Sequence, residues 1–216
     1  MIRVLLADDH ALVRTGFRLL LEEPDDIEVV AEAESGEQAY ELYSEHQPDV
    51  VMIDLSMPGI GGVEAIKKIV LRDKHARILA LSVHEDISHP RRVLQAGALG
   101  YLTKRQAPEV LIDAIRKIAN GITVIDPELA QRMAVANTNG ETNPIESLSE
   151  REFEVFEKLA LGKSVNSIAE VLNLSPSTVG THLYKVKQKL KVSNMAELTL
   201  LAVRHGVIDL DLDTPE

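Results

Sequence analysis

The chain has 216 residues and a formal net charge of −11, and it contains no cysteine. This length predicts two small domains. The absence of cysteine excludes disulfides, thiolate metal sites and cysteine nucleophiles. No apolar run reaches the roughly 18 residues that a transmembrane helix needs, and Asp8 and Asp9 come too early for a signal peptide. We therefore expect a cytoplasmic protein that does not associate with a membrane.

The first half of the chain alternates short apolar runs with amphipathic stretches of helix length. The apolar runs occupy residues 2–7, 27–33, 50–53, 78–81 and 101–102. Between them, apolar residues recur at spacings of three and four, which is typical of one helix face. Because strands that are apolar at every position suit a parallel sheet covered by helices on both faces, the pattern predicts a doubly wound (βα)5 domain of the α/β class over residues 1–123.

A polar segment, residues 124–146, separates this domain from the rest of the chain. It contains a predicted short helix at 128–134 and then a stretch, 137–144, that is rich in Asn, Thr and Gly. This turn-forming composition predicts a linker. Residues 209–216, at the other end of the second domain, form an acidic tail.

Residues 147–208 have a helical pattern throughout. Three sets of capping residues mark helix starts: Ser149 with Glu152, Ser175 before Pro176, and Asn194 with Glu197. The pattern predicts helices at about 150–161, 165–172, 176–190 and 195–205. Because a short segment, 171–175, joins the second helix to the third, we predict an all-α four-helix domain that contains a helix-turn-helix.

Polar side chains cluster where the predicted strands of the first domain end. They are Asp8, Asp9, Asp54, Ser82 and Lys104. The carboxyl ends of strands in an open α/β sheet form the ligand-binding edge, and three carboxylates close together repel one another unless a cation is present. Mg²⁺ prefers such oxygen ligands, so we predict a magnesium site there.

This pocket suits phosphoryl transfer. With Mg²⁺ and Lys104 neutralising a transferring phosphoryl group, Asp54 is the candidate nucleophile and Ser82 a candidate hydrogen-bond donor to a phosphoryl oxygen. An Asp-Asp pair after a strand can instead form only a turn and a helix cap, and we expect His10 to be a loop residue rather than a ligand. All five polar residues fall where predicted strands end, which favours the pocket over these simpler interpretations.

Four segments carry a resemblance to a known family: 5–10 (LLADDH), 52–59 (MIDLSMPG), 80–82 (ALS) and 96–104 (AGALGYLTK). Together they resemble the receiver domain of two-component response regulators over residues 1–120. The resemblance implies that a histidine kinase donates a phosphoryl group to Asp54, and that Asp9, Asp54 and the Ser56 carbonyl ligate Mg²⁺ while Asp8 assists through water. It also implies a switch pair, in which the Ser82 hydroxyl turns toward the phosphate and the Tyr101 ring moves inward.

The predicted helix 176–190 has the pattern of a DNA-reading helix. Although the protein is acidic, residues 175–205 contain five Lys or Arg and a single Glu. On a helical wheel, Val179, Leu183, Val186 and Leu190 form a buried stripe. The opposite face carries Ser177, Thr181, Tyr184, Lys185 and Gln188, with Lys187 on one flank and Thr178, His182 and Lys189 on the other. Flanking lysines suit DNA phosphates, and Thr181, Lys185 or Gln188 suit base edges.

A second resemblance covers this region, through residues 148–152 (LSERE), 168–170 (IAE), 174–179 (LSPSTV) and 181–182 (TH). They are similar to the LuxR-type domain of the NarL/FixJ class, and residues 197–206 resemble its GacA/UvrY branch. The resemblance implies binding of double-stranded DNA by a homodimer, formed when the protein is phosphorylated or DNA-bound. Gly180 departs from the family pattern, which has Lys, Arg or a small polar residue there.

Three functions remain open on these residues. The first is a transcription factor activated by phosphorylation. The second is a phosphotransfer module or phosphate sink whose helical domain binds a protein. The third, an enzyme that hydrolyses an external phosphate ester, is disfavoured, because we expect self-phosphorylation and autodephosphorylation but no turnover of an outside substrate.

Overall fold

The computed structural model describes residues 1–82, 88–127, 129–131, 133, 144–205 and 207–208, with only the backbone at 88, 146 and 150. The predicted linker stretch, apart from residue 144, and the acidic tail lie outside the described residues. So does part of the predicted short helix, although residues 127, 129–131 and 133 are helical. The chain divides into two compact units, one mainly of residues 1–85 and 89–138 and the other mainly of residues 139–216.

The first unit alternates strands with helices. Its elements are β1 Ile2–Ala7, α1 Ala11–Leu21, β2 Ile27–Ala33, α2 Gly36–His46, β3 Val50–Asp54, α3 Gly61–Arg72, β4 Ile78–Ser82, α4 Ser88–Gln95, β5 Gly100–Thr103, α5 Pro108–Ala119 and β6 Val124–Ile125. The strands form one sheet in the order β2-β1-β3-β4-β5-β6, and every neighbouring pair is parallel. The predicted doubly wound α/β class is therefore confirmed.

Strands β3 and β4 are buried at every position, which is why their sequences are apolar without alternation up to their last residues, Asp54 and Ser82. The sixth strand was not predicted. Its two residues pair with Gly100 and Tyr101 of β5, but a run of two is too short to show any periodicity. The sheet therefore extends two residues beyond position 123, where the sequence pattern placed the end of the domain.

The second unit is helical. A 3-10 turn, Pro144–Ser147, precedes α6 Glu150–Ala160, α7 Val165–Val171, α8 Pro176–Leu190 and α9 Met195–Arg204. Helix α6 starts with the predicted capping box, since the Ser149 side chain and Glu152 satisfy each other's backbone N–H groups. These helices pack around a core to which α6 contributes Phe153 and Phe156, fully buried with ring centroids 6.2 Å apart.

The predicted stripe of α8 lies in this core. Val179, Val186 and Leu190 are buried, and Leu183 is partly buried against them. Within the described residues, no helix combines the length and the apolar composition that a membrane span requires.

A partly buried hydrogen bond joins α2 to the C-terminal end of α3. The Tyr43 hydroxyl donates to Asp73 Oδ2 over 2.6 Å, and Tyr43 is 8% exposed. The hydrogen bond from Tyr43 lowers the pKa of Asp73, and burial together with Asp73 raises the pKa of Tyr43.

We expect Tyr43→Phe to lower the free energy of unfolding by about 1 kcal/mol, because the hydrogen bond to a carboxylate is lost. The folded pKa of Asp73 lies below its unfolded value, so this stabilisation is present above about pH 4 and is lost as the pH falls through the folded pKa. Urea unfolding at pH 7 and pH 3 measures both effects. Tyr40→Phe, on the same helix, is the control and should match the wild type; an equal loss for both variants would contradict the assignment.

Candidate functional site

The candidate pocket lies at the reversal of strand order in the sheet. The chain adds β2 on one side of β1 and then β3 on the other, and ligands of open α/β sheets bind outside the carboxyl ends of the strands at such a point. Asp8 and Asp9 directly follow β1, and Asp54 is the last residue of β3. The two neighbouring strands thus deliver three carboxylates to one crevice.

A single ammonium group joins two of these carboxylates. Lys104 Nζ lies 2.7 Å from Asp8 Oδ2 and 2.7 Å from Asp54 Oδ2. The side chains of Asp8 and Asp54 are 1% and 2% exposed, and that of Lys104 is 13% exposed. Lys104 follows β5, and its backbone N–H donates to the Ser82 carbonyl over 2.8 Å, which anchors the lysine at the end of β4.

Burial and charge act against each other on these groups. Burial raises the pKa of Asp54, Lys104 opposes the change and Asp8 adds to it, with a raised pKa as the net result. Burial lowers the pKa of Lys104, but Asp54 and Asp8 raise it by more. Lys104 therefore keeps its proton at neutral pH, and the nucleophile candidate stands beside a fixed positive charge.

The donor set fits a hard divalent cation. Oxygen atoms of Asp8, Asp9 and Asp54 and a nitrogen of His10 all lie within 4.8 Å of one another. Asp9 Oδ1 and Asp54 Oδ2 are buried oxygens, and each has one nitrogen neighbour, His10 Nδ1 at 2.9 Å and Lys104 Nζ at 2.7 Å. Three carboxylates and one ammonium leave two negative charges, which one Mg²⁺ balances, and carboxylate oxygens are its preferred protein ligands.

His10 is closer to this group than the sequence suggested. Its backbone N–H donates to Asp8 Oδ1 over 2.8 Å, and its Nδ1 lies 2.9 Å from Asp9 Oδ1. The imidazole is 65% exposed, so it stands at the rim of the pocket. A histidine directly after two aspartates was the only sequence signal for this position.

The loop after Asp54 carries the predicted carbonyl ligand, Ser56. The Ser56 N–H donates to Asp54 Oδ1 over 3.3 Å, so the loop turns back over the nucleophile candidate. This loop ends at Gly62, in the first turn of α3. The backbone there approaches β3 so closely that a Cβ atom would collide with the Asp54 carbonyl oxygen. The Gly62 N–H also donates to the Leu55 carbonyl over 3.1 Å, so α3 begins directly against the end of β3.

The two residues of the predicted switch pair are both buried. Ser82 is 0% exposed at the end of β4, and Tyr101 is 1% exposed in β5. The two strands are paired in register, with Ser82 opposite Thr103 and Ala80 opposite Tyr101. The tyrosine side chain is therefore enclosed by protein in this structure.

Helix α8 presents the predicted reading face to solvent. Its exposed residues include all five that were predicted for that face: Ser177, Thr181, Tyr184, Lys185 and Gln188. The Gln188 Nε2 donates to the Tyr184 hydroxyl over 2.7 Å. Ser175 caps the helix by accepting from the Thr178 N–H over 3.1 Å.

One flank of α8 is already engaged within its own domain. Lys189 Nζ donates to Glu152 Oε2 over 2.6 Å and to the Ser147 carbonyl over 2.9 Å. The Thr178 hydroxyl lies 2.8 Å from the capping Ser175 Oγ. Burial and the nearby Lys185 lower the pKa of His182, so this imidazole is neutral at pH 7.

The opposite flank is less constrained. Among the described residues, Lys187 Nζ reaches only the Ser193 carbonyl, at 3.4 Å. Gly180 is helical, and a Cβ atom built on it meets no atom within 4 Å, so the position that departs from the family pattern is open space. Lys191 ends the helix in the left-handed conformation, with φ of 55°, where glycine is usual.

Two family models match the chain: the response regulator receiver domain over residues 4–116, and the luxR family of bacterial regulatory proteins over residues 146–202. The chain is 44% identical to the response regulator UvrY of Escherichia coli (strain K12) over 213 residues, 98% of each chain. It is 42% identical to the response regulator GacA of Pseudomonas viridiflava over 211 residues, which are 97% of this chain and 99% of that protein.

Among solved structures, the chain is similar to RcsB from Salmonella enterica serovar Typhimurium bound to the promoter rprA in the presence of the phosphomimetic BeF3−. The two are 28% identical with a TM-score of 0.59, and the match covers 93% of this chain and 97% of that chain.

The ion pair on the engaged flank generates a prediction. We expect Lys189→Ala to lower the free energy of unfolding of the helical domain by about 1–3 kcal/mol, because the Glu152 carboxylate, which is 5% exposed, loses its charged partner. Lys185→Ala, one turn away on the exposed face, is the control and should leave the stability within about 0.5 kcal/mol of the wild type. Urea unfolding followed by circular dichroism compares them, and equal stability of the two variants would refute the assignment.

Proposed function

Because the chain belongs to the two-component response regulators that carry a LuxR-type DNA-binding domain, we propose that Asp54 is its phosphoacceptor and α8 its DNA-reading helix. The protein is a phosphorylation-dependent, DNA-binding transcription regulator. One observation carries the assignment of the acceptor: Asp54 is buried at the end of β3, and Lys104 bridges its carboxylate to that of Asp8.

The chemistry is transfer of a phosphoryl group from a phosphohistidine of a sensor kinase. A carboxylate oxygen of Asp54 attacks the phosphorus, and the P–N bond breaks with its electron pair, together with a proton, going to the imidazole nitrogen. The Lys104 ammonium stabilises the negative charge, first on the Asp54 carboxylate and then on the phosphoryl oxygens. Asp9, Asp54 and the Ser56 carbonyl would hold Mg²⁺, with Asp8 assisting, and the bound ion would supply positive charge against the phosphoryl oxygens.

The switch lies beside the acceptor. In the proposal, the buried Ser82 hydroxyl donates to a phosphoryl oxygen, and the Tyr101 ring lies inward behind it. Phosphorylation adds roughly −1.5 to −2 charge and three acceptor oxygens at this point, which biases the loops that follow β4 and β5. Homodimerisation and a change in DNA affinity are the proposed consequences.

The exposed face of α8 reads the DNA in this proposal. Thr181, Lys185 and Gln188 project from the face opposite the core, as a helix in the major groove requires. Lys187, on the open flank, contacts phosphates. Lys189 was predicted for the same task from sequence, but its ammonium is committed to Glu152 and Ser147, so we assign it to the stability of the domain.

Phosphorylation itself is directly testable. With Mg²⁺ and a small-molecule phosphodonor such as acetyl phosphate, the wild type should gain one phosphoryl group by intact-protein mass spectrometry, and Asp54→Ala should gain none. Asp25→Ala, a change at an exposed carboxylate of the same domain, is the control and should be labelled like the wild type. Labelling of Asp54→Ala, or full labelling after removal of divalent cations with EDTA, would rule out the proposed acceptor chemistry.

DNA reading predicts a specific dependence on salt. Lys187→Ala should reduce the slope of log affinity against log salt concentration by about one, because one phosphate contact is lost. Lys68→Ala, at an exposed lysine of the receiver, should leave the slope unchanged. Fluorescence anisotropy with operator DNA measures both, after binding-site selection. If the protein shows no salt-dependent DNA binding in either phosphorylation state, the phosphate-sink alternative replaces this proposal.

A further inference from the structure

A buried arginine next to the pocket has no part in the chemistry described so far. Arg14 lies in the first half of α1, and its side chain is only 10% exposed. A buried cation is costly unless charged and hydrogen-bonding partners surround it. All three guanidinium nitrogens of Arg14 have such partners, so the residue is held in one orientation.

One of these contacts reaches the metal-binding turn. Arg14 Nη1 donates to the backbone carbonyl of Asp8 over 2.7 Å. The Asp8 side chain is held separately, by the His10 N–H at 2.8 Å and by Lys104 Nζ at 2.7 Å. Asp8 is therefore fixed through both its backbone and its carboxylate, and Arg14 supplies the backbone restraint.

The other two nitrogens tie the guanidinium to β2 and the residue that follows it. Arg14 Nε donates to Glu32 Oε2 over 2.9 Å, and Nη2 donates to Glu34 Oε1 over 2.6 Å. Glu32 is shared, since Arg18 Nη1 donates to its other oxygen over 2.6 Å. The carboxylates of Glu32 and Glu34 thus orient the planar guanidinium so that its Nη1 points at the turn after β1.

We propose that Arg14 is a positioning residue for Mg²⁺ binding: it holds the turn Asp8-Asp9-His10 in the geometry that aims the carboxylates into the pocket. The inference rests on the proposed function of that pocket. Groups that orient metal ligands from behind typically change metal affinity 10- to 100-fold when mutated. Lysine cannot substitute, because an ammonium group lacks the planar fork that serves three acceptors at fixed angles.

The chain offers a matched control for this idea. Arg18 is on the same helix, one turn further on, and binds the same Glu32, but only Arg14 reaches the Asp8 carbonyl. The Mg²⁺ dissociation constant of the full chain is measured by isothermal titration calorimetry for the wild type, Arg14→Lys and Arg18→Lys. We expect Arg14→Lys to raise the dissociation constant about tenfold or more and Arg18→Lys to stay within about twofold.

Two further measurements separate positioning from plain structural support. Unfolding in Mg²⁺-free buffer reports the stability of each variant without a contribution from metal binding. The second measurement uses Glu34→Gln, which weakens one hydrogen bond to the same guanidinium. The Glu34 side chain is 67% exposed, so we expect this variant to fold. It should raise the dissociation constant about threefold, since one of three partners is weakened. If Arg14→Lys and Glu34→Gln lose stability while their Mg²⁺ affinity equals that of the wild type, the positioning role is wrong. If the wild type itself binds no Mg²⁺, the proposed pocket function fails instead.

Discussion

The contact of one lysine ammonium with two buried carboxylates is the interaction on which the rest of the site depends. Lys104 joins Asp8 and Asp54 at 2.7 Å each, across 96 residues of sequence in the first case. Without it, three carboxylates in a crevice with little solvent would repel strongly. With it, two negative charges remain, which suits a divalent cation.

Much of this site could be predicted from the sequence, because strand ends in a parallel sheet converge on one edge. Fully apolar strands located Asp54 and Ser82, and the acidic turn after the first strand located Asp8 and Asp9. The role of Arg14 was not predicted, because its partner beside the pocket is a backbone carbonyl. Every residue has one, so it gives no signal in the sequence. The strand Val124–Ile125 was missed because its pairing with β5, rather than any local pattern, makes it a strand.

Helix α8 shows the same division between periodicity and long-range contact. The buried stripe and the exposed face of α8 follow from the helical repeat, so both were predicted. The different use of its flanking lysines was not. Lys189 differs from Lys187 because Glu152, 37 residues away, and the Ser147 carbonyl lie beside it. A helical wheel places a charge on a face, but it does not tell which charges the domain has already neutralised.

We propose that phosphorylation of Asp54 controls DNA binding through α8. The most direct measurement is the affinity of the full chain for its selected operator, with and without phosphodonor, for the wild type and Asp54→Ala in parallel. Phosphorylation should change the affinity of the wild type at least severalfold and leave that of Asp54→Ala unchanged. Equal affinity of the phosphorylated and unphosphorylated wild type, or an undiminished response in Asp54→Ala, would contradict it.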